Sequence, residues 1–215
     1  MVHIYYTIIN TDTTKAQWNN LFHQMPADIQ ARIHRYRKDE NKHQLVYGRL
    51  LLHKILHNIG HTDFELSQLQ YEQHKKPFWK EGIHFSIAHS GKVVACALSD
   101  QGEIGLDVER IKPIPIKDFQ HILNGEDQER LTNSNKVFAD FFKIWTIKEA
   151  CSKADGRGLG MDVQQLFIKE RIAVFEEQQW LYYVLDLHGE YACHYVVKQA
   201  SQAVVRVIGN EDLSA

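Results

Sequence analysis

The chain opens on a β-branched and aromatic run, VHIYYTII (2–9), which predicts a strand. Residues 14–37 then carry a helical pattern that Pro26 interrupts. From Ala27 to Gly60 the helical spacing continues with a break near Asp39. Leu45, Leu51, Leu52, Ile55, Leu56 and Ile59 form the apolar face of its second part. LSQLQYEQHKKPFW (66–79) holds a strand-like piece ending at Lys76-Pro77. IHFSIAHS (83–90) alternates and stops at a Ser90-Gly91 turn, and VVACAL (93–98) is the continuous apolar run of a buried strand. After the turn SDQG, EIGLDVERI (103–111) alternates strictly. Ile104, Leu106 and Val108 fall on one face, Asp107 and Glu109 on the other. The two runs around SDQG read as a hairpin with one acidic side. Two prolines break KPIPIKDFQ (112–120), and HILNGEDQERL (121–131) and KVFADFFKIWTIKEACSKAD (136–155) read as helices, with Gly156 placed after the last turn. The remainder, through AVVRVIG (203–209), predicts strands joined by turns in an antiparallel meander.

Strand, helices and strands are thus followed by helices and strands again. This order implies an α+β fold of two comparable halves meeting near residues 105–115. The division expected is an N-terminal subdomain, 1–105, and a C-terminal subdomain, 106–215, acting as one unit with the site at their interface.

Composition narrows the class. Hydrophobic residues are 44% and charged residues 24%, the balance of an ordinary globular protein. A net charge of −2 gives no support for a nucleic-acid binder. There is no apolar run of about 18 residues, so no membrane span is expected. The first residues lack the basic flank and long apolar stretch of a signal peptide. Cys96, Cys151 and Cys193 are odd in number, widely spaced and without a CxxC pair, which points to reduced thiols in a cytoplasm. His53, His57 and His61 recur at a zinc-compatible spacing. No HExxH pattern accompanies them and Gly60 should end the helix before His61, so they read as surface histidines.

Candidate chemistry gathers in two places. Asp107 and Glu109 project from one side of a strand, where close carboxylates repel unless a cation neutralises them. Trp145, Glu149 and Lys153 recur every fourth residue and form one column of a helix, with Phe141 and Phe142 on the same, inward-facing side. A carboxylate aimed inward is costly without a cation to meet it. Magnesium favours oxygen ligands and completes its shell with water and substrate phosphates, so Asp107, Glu109 and Glu149 are candidate ligands. Lys148 and Lys153 would balance a bound phosphate. The block RIHRYRKDENKH (32–43), with Arg32, Arg35, Arg37, Lys38 and Lys42, is either a solvated helix face or a phosphate landing site. A Ser-His hydrolase reading of His89-Ser90 is poor, because adjacent residues of a strand point apart and no GxSxG elbow is present.

GLDVER (105–110) followed by WTIKEACSKADGRGL (145–159) resembles the signature pair of the Sfp, or surfactin-synthetase-activator, type of 4′-phosphopantetheinyl transferase. HFSIAHSG (84–91) resembles that family's histidine-serine motif. Lys76-Pro77-Phe78 resembles its GKP segment, with Lys75 where glycine is usual. The match in order and spacing spans about residues 30–160. The resemblance implies a pseudodimer of two similar α/β subdomains in a monomeric chain. It implies that Asp107, Glu109 and Glu149 bind Mg2+ and that Lys153 contacts the pyrophosphate of coenzyme A. His89 and Ser90 would meet the ribose 3′-phosphate, Lys76 would lie near the adenine nucleotide, and Arg32 and Arg35 would reach the 3′-phosphate region. Glu126 falls where a further acid lies near the site, and Trp145 would be a packing wall. Gln44 stands where the family often has arginine, which would move a phosphate contact to Lys42, His43 or Arg49. Ala88 stands where serine is common.

The reaction so implied moves the phosphopantetheine arm of coenzyme A onto a serine of an apo acyl or peptidyl carrier protein, releasing adenosine 3′,5′-bisphosphate. Glu149 or Glu126, directly or through water, would accept the serine proton. The rivals are a magnesium-dependent phosphohydrolase using the same acids, and a non-catalytic binder of coenzyme A or carrier.

Overall fold

The computed structural model describes residues 1–10, 12–71, 77–187 and 189–213. Its first half runs β1 (Val2–Ile8), α1 (Lys15–His23), α2 (Ala27–Arg35), α3 (Asp39–Asn58), β2 (Gln70–Tyr71), β3 (Pro77–Phe78), β4 (His84–Ser90) and β5 (Val93–Ser99). Thr14 starts α1 with a capping box shared with Gln17. Pro26 stands at the N-cap of α2. Gly60, at φ 102°, follows the end of α3, so His61 lies beyond the helix. His53 and His57 are half-buried, and the His57 imidazole is 3.0 Å from the carbonyl of Phe64.

The hairpin expected around SDQG does not form. β5 pairs antiparallel with β1 on one side and with β4 on the other. Both of its edges are occupied, and every residue along it is buried. The next strand, β6 (Ile104–Arg110), therefore leaves this sheet and pairs antiparallel with β10 (Tyr191–Val197). Between them lie α4 (Gly125–Thr132), α5 (Val137–Asp155), β7 (Phe167–Ile168), β8 (Ile172–Phe175) and β9 (Gln178–Val184). The second sheet has the order β6-β10-β9-β8-β7. The meander forms except for its last member. β11 (Ala203–Val207) returns to the first sheet and pairs parallel with β1, giving the order β11-β1-β5-β4.

Three apolar clusters follow from this topology. α1–α3 cover one face of the first sheet, with Tyr47, Leu51, Ile55 and Leu56 against Val94, Cys96 and Leu98. α5 covers one face of the second, with Phe141, Ile147 and Cys151 near Trp180 and Val196. The remaining faces share a third cluster, in which Ile104, Leu106 and Val108 meet Val93, Ala95 and Ala97. All three cysteines are buried and free.

The sheets meet edge to edge, β4 against β6, through side chains. The backbone N–H of Leu106 donates to Ser86 Oγ (3.0 Å), and that of Arg110 donates to Ser90 Oγ (3.1 Å). Ser86 and Ser90 face 106 and 110 in the same chain direction, so the two edges run parallel. Two serine hydroxyls thus satisfy strand donors that the ladder leaves open.

Candidate active site

Two elements bring the acids together. On β6, Gly105, Asp107 and Glu109 alternate with the core residues Ile104, Leu106 and Val108, so all three face α5. Gly105 makes the approach possible, because a Cβ there would overlap the backbone carbonyl of Ala150. α5 therefore lies directly on β6, with Glu149 and Lys153 beside Asp107. Sequence reading missed Gly105. Its signal was a glycine inside a strand, a mark of close backbone approach.

The column Trp145, Glu149 and Lys153 is half-buried and lies at the margin of the core; the expectation that it faces the interior is corrected. Phe141 and Phe142 are buried as expected, and Trp145 stacks on Phe141 with ring centroids 6.5 Å apart, a wall as anticipated. The residue of α5 that does enter the core is Lys148, which is 1% exposed. Its Nζ pairs with Asp127 (2.7 Å) and donates to the carbonyls of Ile122 (2.7 Å) and Val163 (2.8 Å). A buried ammonium needs such a set of partners. Lys148 is therefore committed to the core and does not serve a phosphate, contrary to expectation.

Lys153 Nζ donates to Asp107 Oδ1 (2.7 Å) and to the Leu106 carbonyl (3.1 Å). Asp107 is 6% exposed, and its other oxygen, Oδ2, is buried without a hydrogen-bond partner among the described residues. Desolvation holds the Asp107 carboxyl above its ordinary value, against the pull of Lys153. Desolvation also raises Glu109, and the charge of Asp107 adds to it, while hydrogen bonds from Ser90 and Trp145 oppose the rise. Glu149 is raised by desolvation first and then by Asp107 and Glu109, with Lys153 opposing. One ammonium thus faces three mutually repelling carboxylates. Among the described residues no three His, Cys, Asp or Glu side chains stand in a ready metal-ligating set. The unmatched Asp107 oxygen and the surplus negative charge nevertheless suit a hard divalent cation with oxygen ligands.

Beside this group lies a cleft of about 430 Å³ between the two halves. Arg32 and Tyr36 line it from α2 and its end, Gln44 and Arg49 from α3, and Ser86 and His89 from β4. Ser152, Lys153, Gly156 and Gly158 line it from α5 and the turn beyond. Gly156 takes the left-handed C-cap position at φ 89°. Desolvation lowers the His89 imidazole, and the charge of Lys153 lowers it further. Arg49 is 6% exposed and donates to the Tyr71 hydroxyl (3.2 Å). Gln44 is buried and donates to the Gly91 carbonyl (2.9 Å), so it braces α3 against the β4–β5 turn.

The structure brings Arg32, His89 and Lys153 onto one cleft. Arg35 lines an adjoining hollow with Arg32, Tyr36 and Tyr71. Ser90 does not line the cleft: its hydroxyl donates to Glu109 Oε2 (2.7 Å). Glu126 is exposed on the first turn of α4, and no hydrogen bond or ion pair among the described residues ties it to the acids. Lys76 lies outside the described residues.

Comparison with known proteins gives the family. A family model described as the 4′-phosphopantetheinyl transferase superfamily matches residues 103–207, and one described as 4′-phosphopantetheinyl transferase, N-terminal, matches residues 11–101. The chain belongs to the 4′-phosphopantetheinyl transferase superfamily of enzymes. Within it, the chain is of the Sfp type. It is 28% identical over 170 residues to the 4′-phosphopantetheinyl transferase gsp of Aneurinibacillus migulanus, covering 78% of this chain and 71% of that protein. It is 26% identical over 140 residues to the 4′-phosphopantetheinyl transferase Sfp of Bacillus subtilis (strain 168), covering 63% of this chain and 62% of that protein, so that alignment spans less than two thirds of Sfp. The crystal structure of Thermotoga maritima holo-(acyl-carrier-protein) synthase overlaps 44% of this chain and 61% of its own, at a TM-score of 0.38 and 19% identity.

Proposed function

We infer that the protein transfers the 4′-phosphopantetheine arm of coenzyme A to a serine hydroxyl of an apo carrier protein, with adenosine 3′,5′-bisphosphate as the by-product. The observation that carries this reading is the juxtaposition of Asp107, Glu109, Glu149 and Lys153 with a cleft lined by Arg32 and His89. An acidic end suited to a cation lies next to a basic and imidazole-lined wall suited to phosphates.

Asp107, Glu109 and Glu149 would hold Mg2+, which supplies charge neutralisation at the diphosphate and at the leaving oxygen. Lys153 adds a fixed positive charge at the same place and keeps Asp107 oriented through the bond to Oδ1. Arg32 and His89 receive the ribose phosphate from the opposite wall, and Arg35 extends that positive surface into the adjoining hollow. Lys76 belongs to the nucleotide-binding set by the family pattern. The carrier brings the nucleophile, so the chain's remaining task is to take up the serine proton. Glu149 stands among the acids, whereas no hydrogen bond or ion pair among the described residues ties the exposed Glu126 to them, which favours Glu149 as acceptor. The reading carries with it a cytoplasmic monomer, and the three buried free thiols suit a reducing compartment.

Incubation with apo carrier, coenzyme A and Mg2+, followed by intact-mass measurement of the carrier, tests the assignment. A phosphopantetheine adduct supports it. Cleaved coenzyme A without an adduct would instead mark a phosphohydrolase, and an unchanged mixture a binder.

A further inference from the structure

Ser90 occupies the point where the two halves are joined and where the acids begin. Its neighbour His89 lines the cleft, and Ser90, the next residue of the strand, points the other way, toward β6. The Ser90 hydroxyl donates its one proton to Glu109 Oε2 at 2.7 Å and accepts the backbone N–H of Arg110 at 3.1 Å. Donor and acceptor capacity are both engaged, which fixes the hydroxyl rotor. Glu109 is a half-buried carboxylate on a flexible stem, with Asp107 repelling it from two residues away. Ser90 makes a short side-chain hydrogen bond to its carboxylate, and Trp145 adds a second one from α5.

We propose that Ser90 is a positioning residue: it holds Glu109 beside Asp107 and Glu149, and so sets the affinity of the acidic group for a divalent cation, instead of contacting a phosphate of coenzyme A. The seam between β4 and β6 then does two jobs, since the hydroxyl that joins the sheets also aims a carboxylate. Groups that hydrogen-bond a metal-ligating carboxylate typically change metal affinity by about 10–100-fold when removed. The proposal rests on the reading of Asp107, Glu109 and Glu149 as a cation site.

Mn2+ is the probe, titrated into the full chain and followed by the electron paramagnetic resonance signal of free ion. Ser90→Ala is expected to weaken Mn2+ binding about 10-fold or more. Ser90→Thr, which keeps the hydroxyl, should stay within about 2-fold of wild type, by the same reasoning on the retained bond. Coenzyme A binding measured with all metal chelated should be the same in Ser90→Ala and wild type. Circular dichroism checks folding, and if the alanine variant does not fold, Ser90→Cys, with a much weaker donor, carries the same expectation. Wild-type Mn2+ affinity in the alanine or cysteine variant overturns the proposal and leaves the cation site standing. So does unaltered Mn2+ binding with a loss of metal-free coenzyme A affinity, which would make Ser90 a phosphate ligand. A wild-type chain that binds no Mn2+ overturns the cation site itself.

Discussion

At Asp107 one carboxylate oxygen is matched by Lys153 and the other by nothing among the described residues, while at Lys148 every direction is matched. That contrast separates a carboxylate with an open coordination position from an ammonium committed to the core. Asp107→Ala and Glu149→Gln should each lower transfer by about 100-fold or more while leaving the circular dichroism spectrum unchanged, since general acid–base and charge-stabilising groups contribute on that order. Glu126→Gln should stay within about 3-fold of wild type, because an exposed side chain outside the acidic group supplies no such term. Steady-state transfer assays at saturating Mg2+ check all three; near-normal turnover in Glu149→Gln would remove Glu149 from the site. His194 carries the pH prediction. It lies opposite Asp107 across the β6–β10 ladder and stands 2.7 Å from the Thr146 hydroxyl. Desolvation lowers it from 6.5 to about 4, with the charge of Lys143 adding to the effect. A depressed folded value means stability that is complete above about 6.5 and lost as pH falls toward about 4, about 3 kcal/mol in all. His194→Gln should flatten the fall in urea-unfolding free energy across that window; an unchanged slope would show that His194 is not its source.

Helix α5 and strand β6 act as one unit because Gly105 lets the helix backbone rest on the strand. Gly105→Ala should destabilise the fold by about 3 kcal/mol or more, since an inserted methyl has backbone in its way and cannot be relieved by a side-chain rotation. It should also lower transfer beyond what the loss of folded protein explains, because Glu149 and Lys153 move away with the helix. Activity per folded molecule, measured at a temperature where circular dichroism shows the variant native, separates the two effects. From the other side of the same helix, Lys148→Ala should cost about 3–5 kcal/mol by leaving Asp127 buried and unpaired. Urea unfolding reads this directly, and a cost below about 1 kcal/mol would contradict the burial of that pair. These residues also show what was legible in sequence. Helical period, with Pro26 as a break and Gly60 and Gly156 as ends, marked the helical segments, although α4 begins at Gly125 and not at His121, and alternation placed Asp107 and Glu109 on one face, because both signals are local. Lys148 was misjudged because period 3.6 shows which residues share a face but not which face meets a core. Gly105 was passed over because its reason lies in Ala150, 45 positions away.

Across the whole molecule, the connections that sequence could not show are those between residues far apart in the chain. β6 was expected beside β5, its neighbour in sequence, but pairs with β10 because β5 has no free edge. β11 was expected to close the meander but lies against β1, at the other end of the chain. Hydrophobic alternation marks a strand without naming its partner, so both expectations followed the nearest strand and failed. The motifs were legible because they are compact, while the seam of Ser86 and Ser90 with β6 and the contact of Gly105 with α5 explain how they come together. The return of β11 makes the last segment part of the first half's core. Ile208 and Leu213, beyond β11, are 8% and 4% exposed and belong to the cluster that contains Tyr5, Leu21 and Leu51. Removing residues 201–215 would expose one edge of β1 and empty those two positions. At about 1.5–3 kcal/mol for each buried side chain, the loss is about 3–6 kcal/mol, a large part of the margin by which a domain is stable. An open strand edge also favours association between copies. The shortened chain keeps every candidate site residue, yet it should unfold at lower urea and elute partly as aggregate on size exclusion. Transfer should fall in proportion to the folded monomer that remains. A truncated chain that unfolds at the same urea concentration as the full one would show that the returning strand is an ornament of the first sheet and not a part of its core.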